Sequence, residues 1–67
     1  MGTFAQNLTR IRTLRKLSQE ELAKRVGVSQ PAIAQFEAGK KTPKLYVTIK
    51  LAEALRTTID DLVTHED

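Results

Sequence analysis

Residues 17–39 decide the fold, and they read Leu17-Ser-Gln-Glu-Glu-Leu-Ala-Lys-Arg-Val-Gly-Val-Ser-Gln-Pro-Ala-Ile-Ala-Gln-Phe-Glu-Ala-Gly39. Apolar residues recur here at helical spacings, which predicts two short α-helices. Ser18 and Ser29 stand where helix N-caps are expected, and Gly27 can take the positive φ that ends a helix sharply. The stretch therefore predicts helices over 19–26 and 30–38, joined by the tight turn Gly27-Val28-Ser29.

The same spacing continues on both sides of this stretch, and no period-two alternation is present. Thr3 with Gln6, Ser18 with Glu21, and Thr58 with Asp61 have the spacing of capping boxes. We expect an all-α fold of five short helices in a single domain, 1–67, with a frayed tail at 64–67. The predicted helices cover about 4–15, 19–26, 30–38, 45–55 and 59–63.

The inner faces of the flanking helices follow from the same periodicity. The side chains expected to point inward are Phe4, Leu8, Ile11 and either Leu14 or Arg15 in the first helix, Leu45, Thr48, Ile49, Ala52 and Leu55 in the fourth, and Ile59 and Leu62 in the fifth. Tyr46 is expected to pack half-buried. Lys16 and Arg56 stand just after predicted helices, where positive φ would cost roughly 1 kcal/mol. Lys44 stands at an N-cap without a capping side chain.

Composition excludes several classes of protein. The 67 residues include no cysteine, so neither disulfides nor thiolate metal sites are available. We find no stretch of the ~18 apolar residues that a membrane span needs and no secretory signal, and we expect a cytoplasmic protein. No nucleophile–base pair or metal cluster stands out, so we expect no enzyme activity, cofactor, metal or small-molecule ligand.

Charge is divided unevenly along the chain. The net charge is +3, but residues 8–50 carry +7 and residues 51–67 carry −4. A basic body with an acidic end suits a polyanionic partner on one side. Lopsided charge is also common in small proteins, so charge alone leaves both interpretations open.

The motifs together resemble the helix-turn-helix family of phage Cro and repressor proteins, the XRE-like regulators. The resemblance covers roughly residues 8–62, and it implies that the helix over 30–38 is a recognition helix for the DNA major groove. The motifs that carry it are Leu17-Ser18-Gln19-x-x-Leu22-Ala23, Gly27-Val28-Ser29, Ile33-x-x-Phe36-Glu37-x-Gly39, Pro43 and Leu51-Ala52-x-Ala54-Leu55.

The resemblance also implies roles for individual residues. Base contacts fall on Gln30, Pro31, Ala32 and Gln35; phosphate contacts fall on Ser18, Gln19, Ser29, Lys40, Lys41 and Lys44. Glutamine suits base reading because its amide can pair with adenine N6 and N7, whereas proline has no donor. The family pairs an arginine of the first helix with a glutamate of the third, which here implies an ion pair between Arg12 and Glu37.

We expect a sequence-specific transcriptional regulator, repressor-like, that binds a two-fold operator in double-stranded DNA as a homodimer. The dimer interface is expected in and before the last helix, at Thr57, Thr58, Ile59, Leu62 and Val63. The alternative is a monomer in solution that pairs only on DNA. Because fold does not fix function, the alternative is a protein-interaction module, such as an antitoxin-like or coactivator-like partner.

Overall fold

The computed structural model describes residues 2–63, and its secondary structure is five α-helices over that range. They are α1 (Phe4–Leu14), α2 (Gln19–Val26), α3 (Gln30–Glu37), α4 (Leu45–Ala54) and α5 (Ile59–Val63). The predicted all-α class and the five elements are confirmed, with α1, α3 and α4 each one residue shorter than expected. The tail prediction for 64–67 lies outside the described residues.

Local caps explain where the helices begin. The Thr3 and Ser18 side chains each accept from a backbone N–H three residues on, and Gln6 and Glu21 accept in return. Both predicted capping boxes are therefore confirmed. Ser29 Oγ accepts from the N–H of Ala32 at 3.2 Å, and Lys44, the N-cap residue of α4, makes no side-chain cap hydrogen bond, as predicted.

The third predicted box differs from the other two. Thr58 Oγ1 accepts from the N–H of Asp61 at 3.0 Å, as a cap should. The Asp61 carboxylate, however, accepts from the hydroxyl of Thr57 at 2.8 Å. The start of α5 thus uses two adjacent threonines.

Helix ends carry the positive-φ residues. Gly27 (φ 87°) closes α2 and Gly39 (φ 74°) follows α3, where glycine is tolerated because it has no Cβ. Lys16 (φ 60°) and Arg56 (φ 54°) occupy the same left-handed region without that advantage. The strain considered for these two positions on the sequence is therefore present in both.

An aliphatic core lies between the helices. Six side chains have essentially no exposure: Leu8, Leu22, Ile33, Leu51, Leu55 and Leu62. Residues from α2 and α3 pack against one another, α1 packs on α3 and α5, and α4 packs on α2 and α5. The pair α2–α3 is therefore supported by α1 and α4, and α5 packs against both of these helices.

The predicted inner face of α4 was partly wrong. Leu45 and Ile49 are 69% and 39% exposed, whereas Val47 and Leu51 are buried together with the expected Thr48. Both faces of this helix carry apolar residues, so periodicity alone could not choose between them. Tyr46 is also exposed rather than half-buried.

The end of α1 meets the end of α4 through a charged side chain. Arg15 Nε donates to the carbonyl of Leu55 at 2.6 Å, and Nη2 donates to that of Arg56 at 3.1 Å. Leu14 is 64% exposed, so neither candidate for the last inward position of α1 is buried. Arg15 instead satisfies carbonyls that a helix C-terminus leaves free.

The first and last helices are also joined. Asn7 is buried, and its Nδ2 donates to the carbonyl of Leu62 at 2.9 Å. A buried amide is stable only with such partners. This bond fixes α5 against α1.

Candidate nucleic-acid interface

The angle between α2 and α3 is set by the turn that joins them. Gly27 and Val28 both donate backbone N–H groups to the carbonyl of Ala23, at 2.8 and 3.0 Å. Ala23 is buried and small, which lets the two helices approach closely, and Val28 packs against the core. The turn thus fixes α3 rigidly while its outer face remains free.

That outer face begins with the residues predicted to contact bases. Gln30, Pro31 and Gln35 are exposed, and Ala32 is half-buried. Ile33 and Phe36 point into the core and hold the helix in place. The structure therefore brings the expected set together on the first two turns of α3.

A chain of hydrogen bonds connects this face to the interior. Gln30 Nε2 donates to Gln19 Oε1 at 2.8 Å, and Gln19 Nε2 donates to Glu37 Oε1 at 3.0 Å. Glu37 also accepts from Arg12, whose Nε lies 2.6 Å from Oε2 and whose Nη2 lies 3.1 Å from Oε1. The implied ion pair of Arg12 with Glu37 is thus present, and two glutamines extend it.

Glu37 keeps its negative charge in this environment. Burial raises its pKa, but hydrogen bonds from Arg12, Gln19 and Thr9 and the charge of Arg12 outweigh that effect. The net pKa lies below its ordinary value of 4.5. Because Arg12 neutralises the carboxylate, the acid on α3 presents little repulsion to a polyanion.

Two serines predicted to contact phosphate are also helix caps. Ser18 Oγ accepts from the N–H of Glu21, and Ser29 Oγ accepts from that of Ala32. A hydroxyl that accepts in a cap retains its proton for donation. Both residues are exposed, so capping is compatible with a second role toward phosphate.

Backbone hydrogen bonds at the end of α3 position the lysines that follow it. The backbone N–H groups of Lys40 and Lys41 both donate to the carbonyl of Gln35, at 3.0 and 3.4 Å. Their side chains and that of Lys44 are exposed. The described part of the chain therefore carries three cations in the loop directly after the α3 face.

The expected dimer residues do not form one exposed surface. Leu62 has no exposure and belongs to the core, so its side chain is not available to a partner. This corrects the expectation for Leu62. Thr58 and Val63 are exposed, and Thr57 and Ile59 are half-buried.

Two functional features were missed by sequence reasoning. Gln19 was expected only at phosphate, yet its amide bridges α3 at both ends; no local pattern could show this, because its partners lie 11 and 18 residues away. Arg15 was a candidate for the inner face of α1, but its side chain donates to the carbonyls of Leu55 and Arg56 at the end of α4. A basic residue in the last turn of a helix is the only signal the sequence offered.

Other kinds of site receive no support from residues 2–63. No group of three or more His, Cys, Asp or Glu residues there could hold a metal ion. No helix in that range is both long and apolar enough to cross a membrane.

Comparison with known proteins agrees with this geometry. The profile of the family described as Helix-turn-helix matches residues 8–62. The chain belongs to the helix-turn-helix family. This helix-turn-helix protein is 41% identical over 56 residues to an uncharacterized HTH-type transcriptional regulator of Methanocaldococcus jannaschii, which covers 84% of this chain and 85% of the relative. A similar regulator of Archaeoglobus fulgidus is 42% identical over 62 residues, or 88% and 89% of the two chains.

Solved structures match it closely as well. The P22 c2 repressor protein in complex with a synthetic operator has a TM-score of 0.91 at 29% identity, covering 98% of this chain and all of that one. The restriction-modification controller protein C.AhdI from Aeromonas hydrophila has a TM-score of 0.85 at 36% identity, with 88% and 89% covered. The phage-repressor type and the class of transcriptional regulator predicted from sequence are confirmed.

Proposed function

We propose that this protein is a sequence-specific, repressor-like DNA-binding regulator that places α3 in the major groove of a two-fold operator. The observation that carries the proposal is the free, polar first half of α3, with Gln30 and Gln35 exposed on a helix anchored by Ile33 and Phe36. Helices of this kind read base edges with their N-terminal residues. We propose a cytoplasmic location for this regulator.

The polar groups divide into two classes by chemistry. Gln30 and Gln35 offer amides, which pair bidentately with adenine, and Ala32 offers a methyl group to a thymine methyl. Ser18, Gln19, Ser29 and the lysines 40, 41 and 44 offer hydroxyl, amide and ammonium donors, which suit phosphate oxygens. The second class would add affinity without sequence information.

The test is selection of bound sequences from a random duplex pool, followed by titration of the best duplex at several salt concentrations. We expect an enriched two-fold motif and affinity that falls steeply with salt, because neutralised phosphates release counterions. A pool that shows no enrichment, with no binding even at low salt, would contradict the proposal.

The homodimer rests on geometry and exposed apolar surface. One recognition helix covers too few base pairs for specificity, and paired helices would reach half-sites about 34 Å apart. Val63 on α5 is 41% exposed and Leu14 on α1 is 64% exposed, and these two helices pack together. We place the interface on Thr57, Thr58, Ile59 and Val63.

Sedimentation at micromolar concentration, with and without the selected duplex, tests this interface. Val63→Glu should yield monomers or weaken cooperative binding, because a charge would be buried between subunits. Tyr46→Glu is the matched control, since it places the same charge at an exposed apolar position on α4. If the wild-type protein sediments as a monomer both alone and bound to the duplex, the dimer is excluded.

A protein-interaction module remains the second candidate by fold alone. The family is one of DNA-binding regulators rather than enzymes. The salt dependence described above separates DNA binding from partner binding.

A further inference from the structure

The hydrogen-bond chain from Arg12 to Gln30 crosses three helices. Arg12 on α1 binds Glu37 at the end of α3, Glu37 accepts from Gln19 at the start of α2, and Gln19 accepts from Gln30 at the start of α3. Glu37 is the one member that carries a negative charge. Its carboxylate is shielded from solvent, with the side chain 7% exposed.

The charge of Glu37 determines which group donates and which accepts in each hydrogen bond from Glu37 to Gln30. An ionised carboxylate only accepts hydrogen bonds, so Gln19 must present Nε2 to it. The Gln19 oxygen then faces Gln30, which must in turn present its own Nε2. Without the carboxylate, each amide could turn by half a rotation and exchange its oxygen for its nitrogen at similar steric cost.

These donor and acceptor roles decide which groups of Gln30 remain available. Gln30 is exposed and one of its N–H groups is engaged by Gln19, which leaves Oε1 and a second N–H available to a base. An acceptor beside a donor complements adenine, which presents N6–H₂ and N7 in the major groove. Guanine presents two acceptors, O6 and N7, and would leave the Gln30 oxygen facing an oxygen.

We infer that Glu37 is a positioning residue that sets base preference. Through Gln19, its carboxylate holds the Gln30 amide in the orientation that selects adenine over guanine. The inference rests on the proposed function, because it requires Gln30 to read a base.

Replacement of the carboxylate by an amide should allow the donors and acceptors of these hydrogen bonds to be reversed. In Glu37→Gln the new side chain can donate to Gln19 Oε1, Gln19 Nε2 can donate to Gln30 Oε1, and Gln30 then presents two N–H donors. Two donors match the two guanine acceptors. The variant should therefore lose or reverse its preference without any change in the residue that touches DNA.

The experiment starts from the selected motif and first identifies the base pair at which Gln30→Ala loses its preference. It then uses four duplexes that carry the four possible base pairs at that position and are otherwise identical. We expect wild-type protein to favour adenine over guanine by about tenfold, the size of one good bidentate contact. Glu37→Gln and Gln19→Ala should reduce that ratio to about twofold or less. Gln19→Ala leaves the pair of Arg12 with Glu37 in place, so it serves if Glu37→Gln folds poorly.

Two matched controls separate the orientation of the Gln30 amide from the loss of a negative charge and from a loss of protein stability. Glu20→Gln removes the same charge from the exposed first turn of α2 and should keep the tenfold ratio. Arg12→Lys weakens the ion pair but keeps the carboxylate, so it should lower stability while the ratio remains. In the free protein, the side-chain amide NMR signals of Gln30 should shift in Glu37→Gln and not in Glu20→Gln.

The outcomes distinguish this inference from the proposed function. If Gln30→Ala changes no base preference, base reading by Gln30 fails and the inference fails with it. If Gln30→Ala removes a preference for adenine that Glu37→Gln and Gln19→Ala both retain, the proposed function stands and the role of Glu37 is overturned.

Discussion

The Nε of Arg12 lies 2.6 Å from Oε2 of Glu37, and the same guanidinium donates through Nη1 to the carbonyl of Leu17 at 2.7 Å. One side chain of α1 thus binds both the end of α3 and the segment that enters α2. The two side chains of the ion pair are only 16% and 7% exposed. The position of α3 therefore depends on an ionic contact as well as on the apolar core.

Removal of the carboxylate should destabilise the fold substantially. Glu37→Ala leaves Arg12 partly buried without its partner, which we expect to cost about 2–4 kcal/mol of unfolding free energy. Urea denaturation at neutral pH measures this. Glu20→Ala, which removes an exposed glutamate, should stay within about 0.5 kcal/mol of wild type. Equal effects of the two variants would contradict the role of the ion pair.

Acid should weaken the same contact. The pKa of Glu37 is lowered in the folded protein, so its stabilisation is fully present above the ordinary pKa of 4.5 and is lost as pH falls through the folded pKa. The pKa of Glu21 is lowered as well, chiefly because the Ser18 backbone N–H donates to its carboxylate. Denaturation from about pH 7 down to about pH 3 should show the stability gap between wild type and Glu37→Gln shrinking. A gap that is constant over this range would count against the shifted pKa.

The two non-glycine residues with positive φ should be sites of easy stabilisation. Lys16→Gly and Arg56→Gly remove backbone strain at φ 60° and 54°, and each should raise the unfolding free energy by about 0.5–1 kcal/mol. Lys24→Gly, inside α2, is the matched control and should lower it by about 0.5–1 kcal/mol. Thermal melts measure the change in stability of all three variants. A loss of stability in Lys16→Gly and Arg56→Gly would show that positive φ is not strained at these positions.

Substitutions of Gln35 and Lys40 should affect DNA binding in different ways. Gln35→Ala should cost about 1–3 kcal/mol on the preferred duplex and relax selectivity at one base pair. Lys40→Ala should weaken all duplexes alike and reduce the salt slope by about 1. Fluorescence titrations at several salt concentrations measure both. If each variant lowers specific and non-specific binding equally, α3 does not read bases.

The parts of the fold that depend on neighbouring residues could be predicted from the sequence. Ser18 with Glu21 determines the start of α2, and Gly27 determines its end, because caps and turns act over a few residues. The exposed side of α3 followed from the burial of Ile33 and Phe36 in the same way. These local rules predicted the helices that form the candidate site, whereas the roles of its residues followed from the family resemblance.

The remaining features depend on contacts between distant segments. Helix α4 has apolar residues around much of its circumference, so only its packing against α2 and α5 could select Val47 and exclude Ile49. Leu62 was expected both to point inward and to lie in the dimer interface, and only the packing of α1 and α4 against α5 places it in the core. The bond of Gln19 to Glu37 links two helices, and nothing in either segment alone indicates it.

The bond from Asn7 to the carbonyl of Leu62 has a consequence for the order of folding. The two residues lie 55 positions apart, so the chain must close almost its entire length before this bond can form. A five-residue helix such as α5 does not persist alone. We therefore expect α5 to dock last and detach first, which would give its amides the fastest hydrogen exchange among the five helices.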